Sequence, residues 1–272
     1  EYLLNNVDLT GSLHLYSKTE GTNMTLYLPR SLHPSDSLVI TLGWKYRFPQ
    51  TMEHRFGKYG EGTYFISLWY PQVAVYDDVD GWDMIQYTGT QEFYNDFCDY
   101  KITLPAGYMM WATGEWQNAD EILDKDHYGL YQKAFQSDRT IHIIKSTDLK
   151  RNRFIRGFGS KTFHYRAVNV PDIAFGVSDS YLWDAQSVVT DSSKNRRVLV
   201  NAAYNEDSDD FREVASIGCK VINDLSFKSY GIPYPFPVVT VFNGDGGMEY
   251  PMIVNNESMY SYEGTVFLTL HE

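Results

Sequence analysis

Apolar and polar residues alternate through most of the chain up to about Pro171. Between Leu38 and Phe48 every second residue is apolar, and the residues between them are mainly polar or small. A period of two places one apolar and one polar face on a single strand. Similar runs occur at Thr10 to Lys18, Met24 to Leu28, Thr63 to Tyr70, Tyr100 to Leu104, Tyr108 to Thr113, Thr140 to Lys145 and Thr162 to Val170. Many short strands separated by turns predict an all-β domain, either a sandwich or a curved open sheet.

Composition agrees with this prediction and excludes several classes of partner. Aromatic residues make up 16% of the 272 residues, and they fit the half-buried surface of a sheet. The net charge of −12 argues against nucleic acid or an anionic membrane, since both attract basic patches. No apolar run approaches the roughly 20 residues that cross a bilayer. We therefore expect a globular chain with no nucleic-acid partner and no transmembrane segment.

The cysteines and the first residue bear on the compartment. Only Cys98 and Cys219 are present, which excludes a disulfide framework, and a bridge between them is not expected. The first residue is Glu1 and not Met, so removal of a leader on export is one option. Localisation is left open.

Two sets of polar residues in the first half are candidates for metal sites. Asp77, Asp78, Asp80 and Asp83 resemble a calcium loop, but the glutamate that ends an EF-hand loop is missing. We expect these aspartates to be solvated residues of a turn. Single histidines such as His142 and His164 lie in strand patterns, where a hydrogen-bonded structural role is expected.

A polar segment from Thr190 to Arg197 interrupts the apolar patterns. It predicts a boundary between a β-sheet domain, residues 1–190, and a second domain, residues 191–272. A long hairpin tip is the alternative.

The second part begins with the clearest amphipathic helix of the chain. Ser208 is its predicted cap, Gly231 marks its exit, and Val238 to Phe242 is a predicted buried strand. The apolar residues of the helix recur at intervals of three and four, at Phe211, Val214, Ala215, Gly218, Val221, Ile222 and Leu225.

The last stretch combines a strand, a glycine turn, a second strand with a carboxylate, and an apolar segment that stops on His271-Glu272. His-Glu on an apolar helix is the first half of HExxH, in which two histidines bind zinc and the glutamate is the general base. Catalytic zinc needs three protein ligands and an open position. Here the sequence offers only His271 of such a set.

The segment from Gly246 to Pro251, GGMEYP, resembles the Gly-x-Met-Glu-Asn motif of the aminopeptidase N family of gluzincin zinc peptidases. His271 follows Glu249 at a spacing similar to that of the family. In the first half the sequences WYP, VYDD, GW and EFY resemble the saddle-shaped N-terminal β-domain of bacterial members. The resemblance covers nearly the whole chain, and its sharp motifs lie in the last 30 or so residues.

The resemblance implies a role for each residue of these motifs. His271 would be the first zinc ligand, and Glu272 the general base that takes a proton from the attacking water. Glu249 would bind the free α-ammonium of the substrate. Gly246 and Gly247 would align the peptide as an added strand through their backbone groups. Met248 belongs to the same substrate-binding segment and is expected to pack in the core.

The sequence departs from the family pattern in places. Tyr250 stands where the family usually has Asn, which resembles a bacterial subgroup and leaves side-chain preference open. Gln72 and Glu92 are candidates for a second amine-binding residue. The second zinc histidine, the distal zinc glutamate and the transition-state tyrosine would all lie beyond residue 272.

We therefore predict an α+β chain of two domains: a saddle-like or sandwich β-domain, then the opening part of a thermolysin-like catalytic domain truncated within HExxH. The parent protein is predicted to be a zinc aminopeptidase acting on peptides with a free N-terminus. The chain itself is predicted to be inactive and not to bind zinc tightly.

Two alternatives remain open. One is a catalytically dead relative that serves as a scaffold for partner proteins. The other is a self-contained β-rich binding module with exposed aromatic platforms, for which Trp69, Trp82, Trp111 and Trp116 are the candidates.

Overall fold

The structure is a computed structural model that describes residues 7–8, 16–48, 55–89, 93–94, 96, 99–151, 154–229 and 231–272. The strands are, in chain order, β1 (Val7–Asp8), β2 (Tyr16–Glu20), β3 (Asn23–Tyr27), β4 (Thr41–Leu42), β5 (Gly57–Lys58), β6 (Thr63–Ile66), β7 (Tyr76–Asp77), β8 (Gly81–Trp82), β9 (Tyr100–Leu104), β10 (Met109–Ala112), β11 (Glu115–Trp116), β12 (Ile141–Ile144), β13 (Lys161–Arg166), β14 (Phe175–Ser178), β15 (Leu182–Asp191), β16 (Arg196–Tyr204), β17 (Val238–Asn243), β18 (Met248–Tyr250) and β19 (Ile253–Asn256). The helices are α1 (Ala119–Ile122), α2 (Lys125–Ala134), α3 (Ser146–Arg151), α4 (Val214–Asp224) and α5 (Tyr262–His271).

The described residues fall into two compact units. One unit is drawn from Glu1–Phe48 and Tyr70–Asn95, and the other from Pro49–Trp69 and Asp96–Glu272. The described residues combine many strands, most of them paired antiparallel, with a few helices, so the predicted α+β class is confirmed.

The first unit contains three short antiparallel pairs within its described residues: β1 with β4, β2 with β3, and β7 with β8. The predicted long strand from Leu38 to Phe48 is wrong in extent, because only Thr41–Leu42 pairs with another strand. Alternation makes a segment suitable for a sheet, but a strand also needs a neighbour that accepts and donates its backbone hydrogen bonds. Residues 10–15 of another predicted strand lie outside the described residues.

The second unit contains three sheets in the described part of the chain. Their strand orders are β10-β14-β6-β5, β11-β13-β9 and β12-β15-β16-β17-β19-β18. In the six-stranded sheet, β16, β17 and β19 run parallel, and β18 returns antiparallel to β19 at the edge. Buried strands such as β17 are nearly continuous apolar runs, as expected of parallel strands covered on both faces.

Aromatic side chains form much of the core between these sheets. Phe242 of β17 is fully buried and packs on Phe65, Trp111 and Tyr181, with ring centroids 5.7, 6.1 and 5.1 Å apart. The contacts with Phe65 and Trp111 join β17 to strands of a different sheet. This packing fixes the strand that leads into the glycine turn.

Helices α1 to α3 lie in the region predicted to be all-β, so that prediction is wrong there. The carboxylate of Asp124 accepts hydrogen bonds from the backbone N–H groups of Asp126 and His127, at 3.0 and 2.9 Å, and so caps α2. Tyr131 and Ala134 then pack against the core at helical spacing. The capping aspartate and the helical spacing of these residues can both be seen in the sequence.

Asp77, His142 and His164, which are among the candidate metal ligands of the first half, have hydrogen-bond partners within the protein. Asp77 accepts hydrogen bonds from two backbone N–H groups of the next turn, and these bonds lower the pKa of its carboxyl. His142 Nδ1 lies 2.7 Å from Asp184, and His164 Nε2 lies 2.8 Å from Asp99. The expected structural roles of these residues are confirmed.

The polar segment near residue 190 lies at the tip of the β15–β16 hairpin. The two strands pair from Leu182 opposite Tyr204 to Asp191 opposite Arg196. The six-stranded sheet therefore takes strands from both sides of the predicted boundary. The division into residues 1–190 and 191–272 stays a prediction.

Two glycine-to-alanine changes in the second unit should have opposite effects on stability. A methyl group on Gly176 of β14 would stand 2.4 Å from the buried ring of Phe242, and we expect Gly176→Ala to lower the free energy of unfolding by about 1–3 kcal/mol. Gly129 is exposed in α2 with nothing within 4 Å of an added methyl. Gly129→Ala should raise the same quantity by about 0.5–1 kcal/mol.

Urea unfolding of both variants checks this pair. A Gly176→Ala protein as stable as the wild type would contradict the packing described for β14 and β17.

Candidate functional site

The predicted site residues lie on one continuous structure at the edge of the six-stranded sheet. Strand β17 ends at Asn243, residues 244–247 make the glycine turn, and β18 follows. The hairpin into β19 turns at Pro251 and Met252, where Met252 has a φ of 64°. After β19, a short loop leads to α5, which ends at the predicted His-Glu pair.

Successive side chains of β18 point to opposite faces of the sheet. Met248, Glu249 and Tyr250 lie opposite Asn255, Val254 and Ile253 of β19. Glu249 is exposed, whereas Met248 is half-buried against the core and Tyr250 is buried. The predicted carboxylate therefore lies on the open surface of an edge strand.

The glycine turn lies against the end of α5. A methyl group on Gly247 would stand 2.2 Å from Glu272 Oε1 and 3.2 Å from Leu268 Cδ1. The absence of a side chain at residue 247 is thus what allows this close approach. Gly246, which is buried, has a φ of 136°, a backbone conformation that favours glycine.

Helix α5 is fixed at its start by a serine hydroxyl and by a carboxylate from another part of the chain. The Ser261 hydroxyl accepts a hydrogen bond from the backbone N–H of Gly264, at 3.2 Å. Asp210 accepts hydrogen bonds from the Met259 N–H (3.0 Å), the Thr265 hydroxyl (2.8 Å) and the Ser258 hydroxyl. The Asp210 carboxylate therefore ties the segment before α4 to the beginning of α5.

Glu272 lies beside Glu249 at the other end of α5. Burial raises the pKa of the Glu272 carboxyl above its ordinary value, the Glu249 carboxylate raises it further, and His271 lowers it. Glu272 Oε2 is buried and has no hydrogen-bond partner among the described residues. Two carboxylates thus meet at the glycine turn.

His271 is exposed on the last turn of α5, and its ring stacks on Phe267 with centroids 6.2 Å apart. An exposed imidazole is a suitable zinc ligand. However, the described residues contain no group of three His, Cys, Asp or Glu side chains that could bind a metal ion together. His271 therefore fits as one ligand of a set and not as a complete site.

Other sequence candidates belong to the first unit, to helix α4 or to residues outside the described ones. Gln72 belongs to the first unit, and Glu92 and Cys98 lie outside the described residues. Cys219 is a buried free thiol of α4, and burial raises its pKa to about 12. No helix in the described part of the chain is long and apolar enough to cross a membrane.

Sequence reasoning missed the partners that position the site. Ser67 and Asp210 carried no motif, and each contacts a segment far along the chain, at Tyr250 and at Ser258 to Thr265. No local pattern reports such contacts.

The pH dependence of stability should report the environment of Glu272. Because its pKa is raised in the folded chain, the folded state binds this proton more tightly than the unfolded state does. The ionised carboxylate therefore costs stability, in full above the raised pKa and not at all below the unfolded value of about 4.3. Glu272→Gln should stabilise the metal-free chain at neutral pH, and the gain should vanish in acid.

Urea unfolding at a series of pH values measures this difference. Glu257→Gln removes an exposed carboxylate from the loop before α5 and is the matched control for the loss of one charge. A gain from Glu272→Gln that is the same at every pH would contradict the raised pKa.

Comparison with known proteins was made at the level of sequence and of structure. No protein-family model matches the chain, and no curated protein matches it. Solved structures do match, and each is covered over about half of its length.

The matching structures are zinc peptidases. A mutant two-domain M1 zinc metallopeptidase bound to L-arginine matches with a TM-score of 0.59 at 11% identity, over 99% of this chain and 54% of that chain. The M1 zinc metallopeptidase of Deinococcus radiodurans matches with a TM-score of 0.52 at 11% identity, over 99% and 53%. A mutant of the latter bound to a Tyr-Ser-Ala substrate matches with a TM-score of 0.51 at 12% identity, over the same shares. At such identities the likeness concerns the fold alone. The chain has the fold of about half of an M1 zinc metallopeptidase, a class also called the aminopeptidase N family.

Proposed function

We propose that the protein containing this chain is a zinc-dependent aminopeptidase that removes N-terminal residues from peptides. The observation that carries the proposal is the meeting of Glu249 and Glu272 beside a glycine turn at an exposed sheet edge. The shared fold supports the same class of enzyme.

The carboxylate pair favours a cationic ligand. Glu249 is exposed and Glu272 is partly buried. Burial, and after it the charge of Glu249, raise the pKa of the Glu272 carboxyl, so the two carboxylates repel one another when both are ionised. A cation placed between them relieves that repulsion and makes charge-assisted hydrogen bonds to both. The α-ammonium of a peptide has the charge and the three donors that this arrangement takes. Glu249 is thus the proposed residue that makes the enzyme act at a free N-terminus.

The sheet edge provides a means to align the peptide. Strand β18 pairs with β19 on one side and is the last strand in the order of its sheet. The other side of an edge strand presents N–H and C=O groups that can pair with an extended peptide. Gly246 and Gly247 permit close approach of that backbone just before Met248 and Glu249.

Glu272 is the proposed general base. Its Oε2 atom has no partner among the described residues and can accept a proton there. Zinc, when bound, activates the attacking water and polarises the scissile carbonyl. His271 is the proposed first ligand. A single imidazole supplies only one of the three protein ligands that catalytic zinc needs. The chain by itself is therefore not expected to bind zinc tightly or to catalyse the reaction.

The side chains of the tryptophans and of α5 disfavour a self-contained binding module. Trp111 is only 3% exposed, and Trp69 and Trp116 are half-buried, so of the four candidate platforms only Trp82 is exposed. Helix α5 meanwhile exposes apolar side chains, with Phe267 67% exposed. A sealed module would bury such a face.

Removal of the Glu249 carboxylate tests the proposed amine site. In the intact protein, Glu249→Ala should lower kcat/KM for peptides with a free N-terminus by roughly 10- to 100-fold, because the ammonium loses a charge-assisted partner. Peptides with an acetylated N-terminus should lose little, and zinc content should stay unchanged.

Glu257→Ala, on the exposed loop before α5, is the matched control. Lost zinc in Glu249→Ala with an unchanged preference for a free N-terminus would overturn the assignment.

A further inference from the structure

The side chain of Tyr250 points away from that of its neighbour Glu249. The two residues are adjacent in β18, so their side chains point to opposite faces of the sheet. Glu249 is exposed, and Tyr250 is only 8% exposed. The tyrosine at this position therefore belongs to the core and does not line the surface that would receive a substrate side chain.

The Tyr250 hydroxyl is attached to a distant part of the chain. It donates a hydrogen bond to Ser67 Oγ at 2.8 Å, and the Ser67 hydroxyl donates in turn to the Arg55 carbonyl oxygen at 2.5 Å. Ser67 is itself 3% exposed. The ring of Tyr250 packs on Phe65 of β6, with centroids 5.7 Å apart. Each donor in this chain of hydroxyls has an acceptor, as burial demands.

This attachment matters because β18 is a short edge strand. The strand has 3 residues, and within the described part of the chain it pairs with β19 alone. A short edge strand fixed along one side can tilt or fray about that side. The Tyr250 hydroxyl and ring give it a second fixed point, on β6 and the residues that follow.

We propose that Tyr250 is a positioning residue, which through Ser67 and the Arg55 backbone sets the orientation of β18 and so holds the Glu249 carboxylate where a substrate ammonium meets it. This inference rests on the proposed aminopeptidase function and adds a residue to its machinery. It also means that the tyrosine of GGMEYP orients β18 and does not select the side chain of the substrate.

A double-mutant cycle tests the proposal in the intact protein. The variants are Tyr250→Phe, Ser67→Ala and their combination, and the readout is the ratio of kcat/KM for a free dipeptide amide to that for its N-acetylated form. Because both substrates meet the same folded enzyme, a general loss of stability cancels in this ratio. Each single change should lower the ratio about 3- to 10-fold, mainly through KM, which is the scale of one lost hydrogen bond.

The double variant should be no worse than Tyr250→Phe, because both changes break the same interaction. Urea unfolding of the same four proteins should show the same non-additivity. If Tyr250→Phe fails to fold, Ser67→Ala carries the test alone, and an unchanged ratio in that variant overturns the proposal.

Tyr165→Phe is the matched control. It also removes a buried hydroxyl, one that donates to the Met110 carbonyl oxygen at 3.0 Å, but at a distance from β18 along the chain and in another sheet. It should lower stability and leave the ratio unchanged.

Failure of the two proposals can be told apart. A wild-type protein with no preference for a free N-terminus would overturn the aminopeptidase function. A clear wild-type preference that Tyr250→Phe and Ser67→Ala leave unchanged, or lower independently of one another, would overturn the positioning role alone.

Discussion

The end of helix α5 approaches the glycine turn so closely that a methyl group on Gly247 would collide with the Glu272 carboxylate. This contact brings together two segments that would otherwise be separate, an edge strand with an exposed glutamate and a helix that ends in His-Glu. It also removes Glu272 from water and places Glu249 beside it, which raises the pKa of Glu272. The chemistry proposed for the site depends on that approach.

Several parts of the fold hold the two segments in place. Phe242 packs β17 into an aromatic core, and β17 leads directly into the glycine turn. Asp210 holds the beginning of α5 through three hydrogen bonds, and Tyr250 holds β18 through Ser67. The attachments made by Asp210 and Tyr250 are hydrogen bonds of side chains to distant parts of the chain. A site made of two exposed or half-exposed carboxylates thus rests on neighbours that are largely buried.

Local elements of this region were predictable, and the contacts between them were not. Continuous apolar residues indicated β17, intervals of three and four indicated α4, and the apolar run before His271 indicated α5. Helix α2 was missed although Asp124 caps it, and the strand from Leu38 to Phe48 was overextended because alternation does not show whether a partner strand exists. The proximity of Glu249 and Glu272 was implied by family resemblance only. The Tyr250–Ser67 bond joins residues 183 positions apart and leaves no periodic trace in the sequence.

The amine site requires Glu249 and Glu272 to lie close together, and NMR titration of their side-chain carboxyl carbons measures that proximity. The measurement needs the metal-free chain and its Glu249→Gln variant, in which the neighbouring negative charge is removed. We expect a raised Glu272 pKa in the wild-type chain that falls toward the ordinary value of about 4.3 in the variant. A Glu272 pKa that is the same in both proteins would mean that the two carboxylates do not meet at the glycine turn, and the proposed amine site would be lost with them.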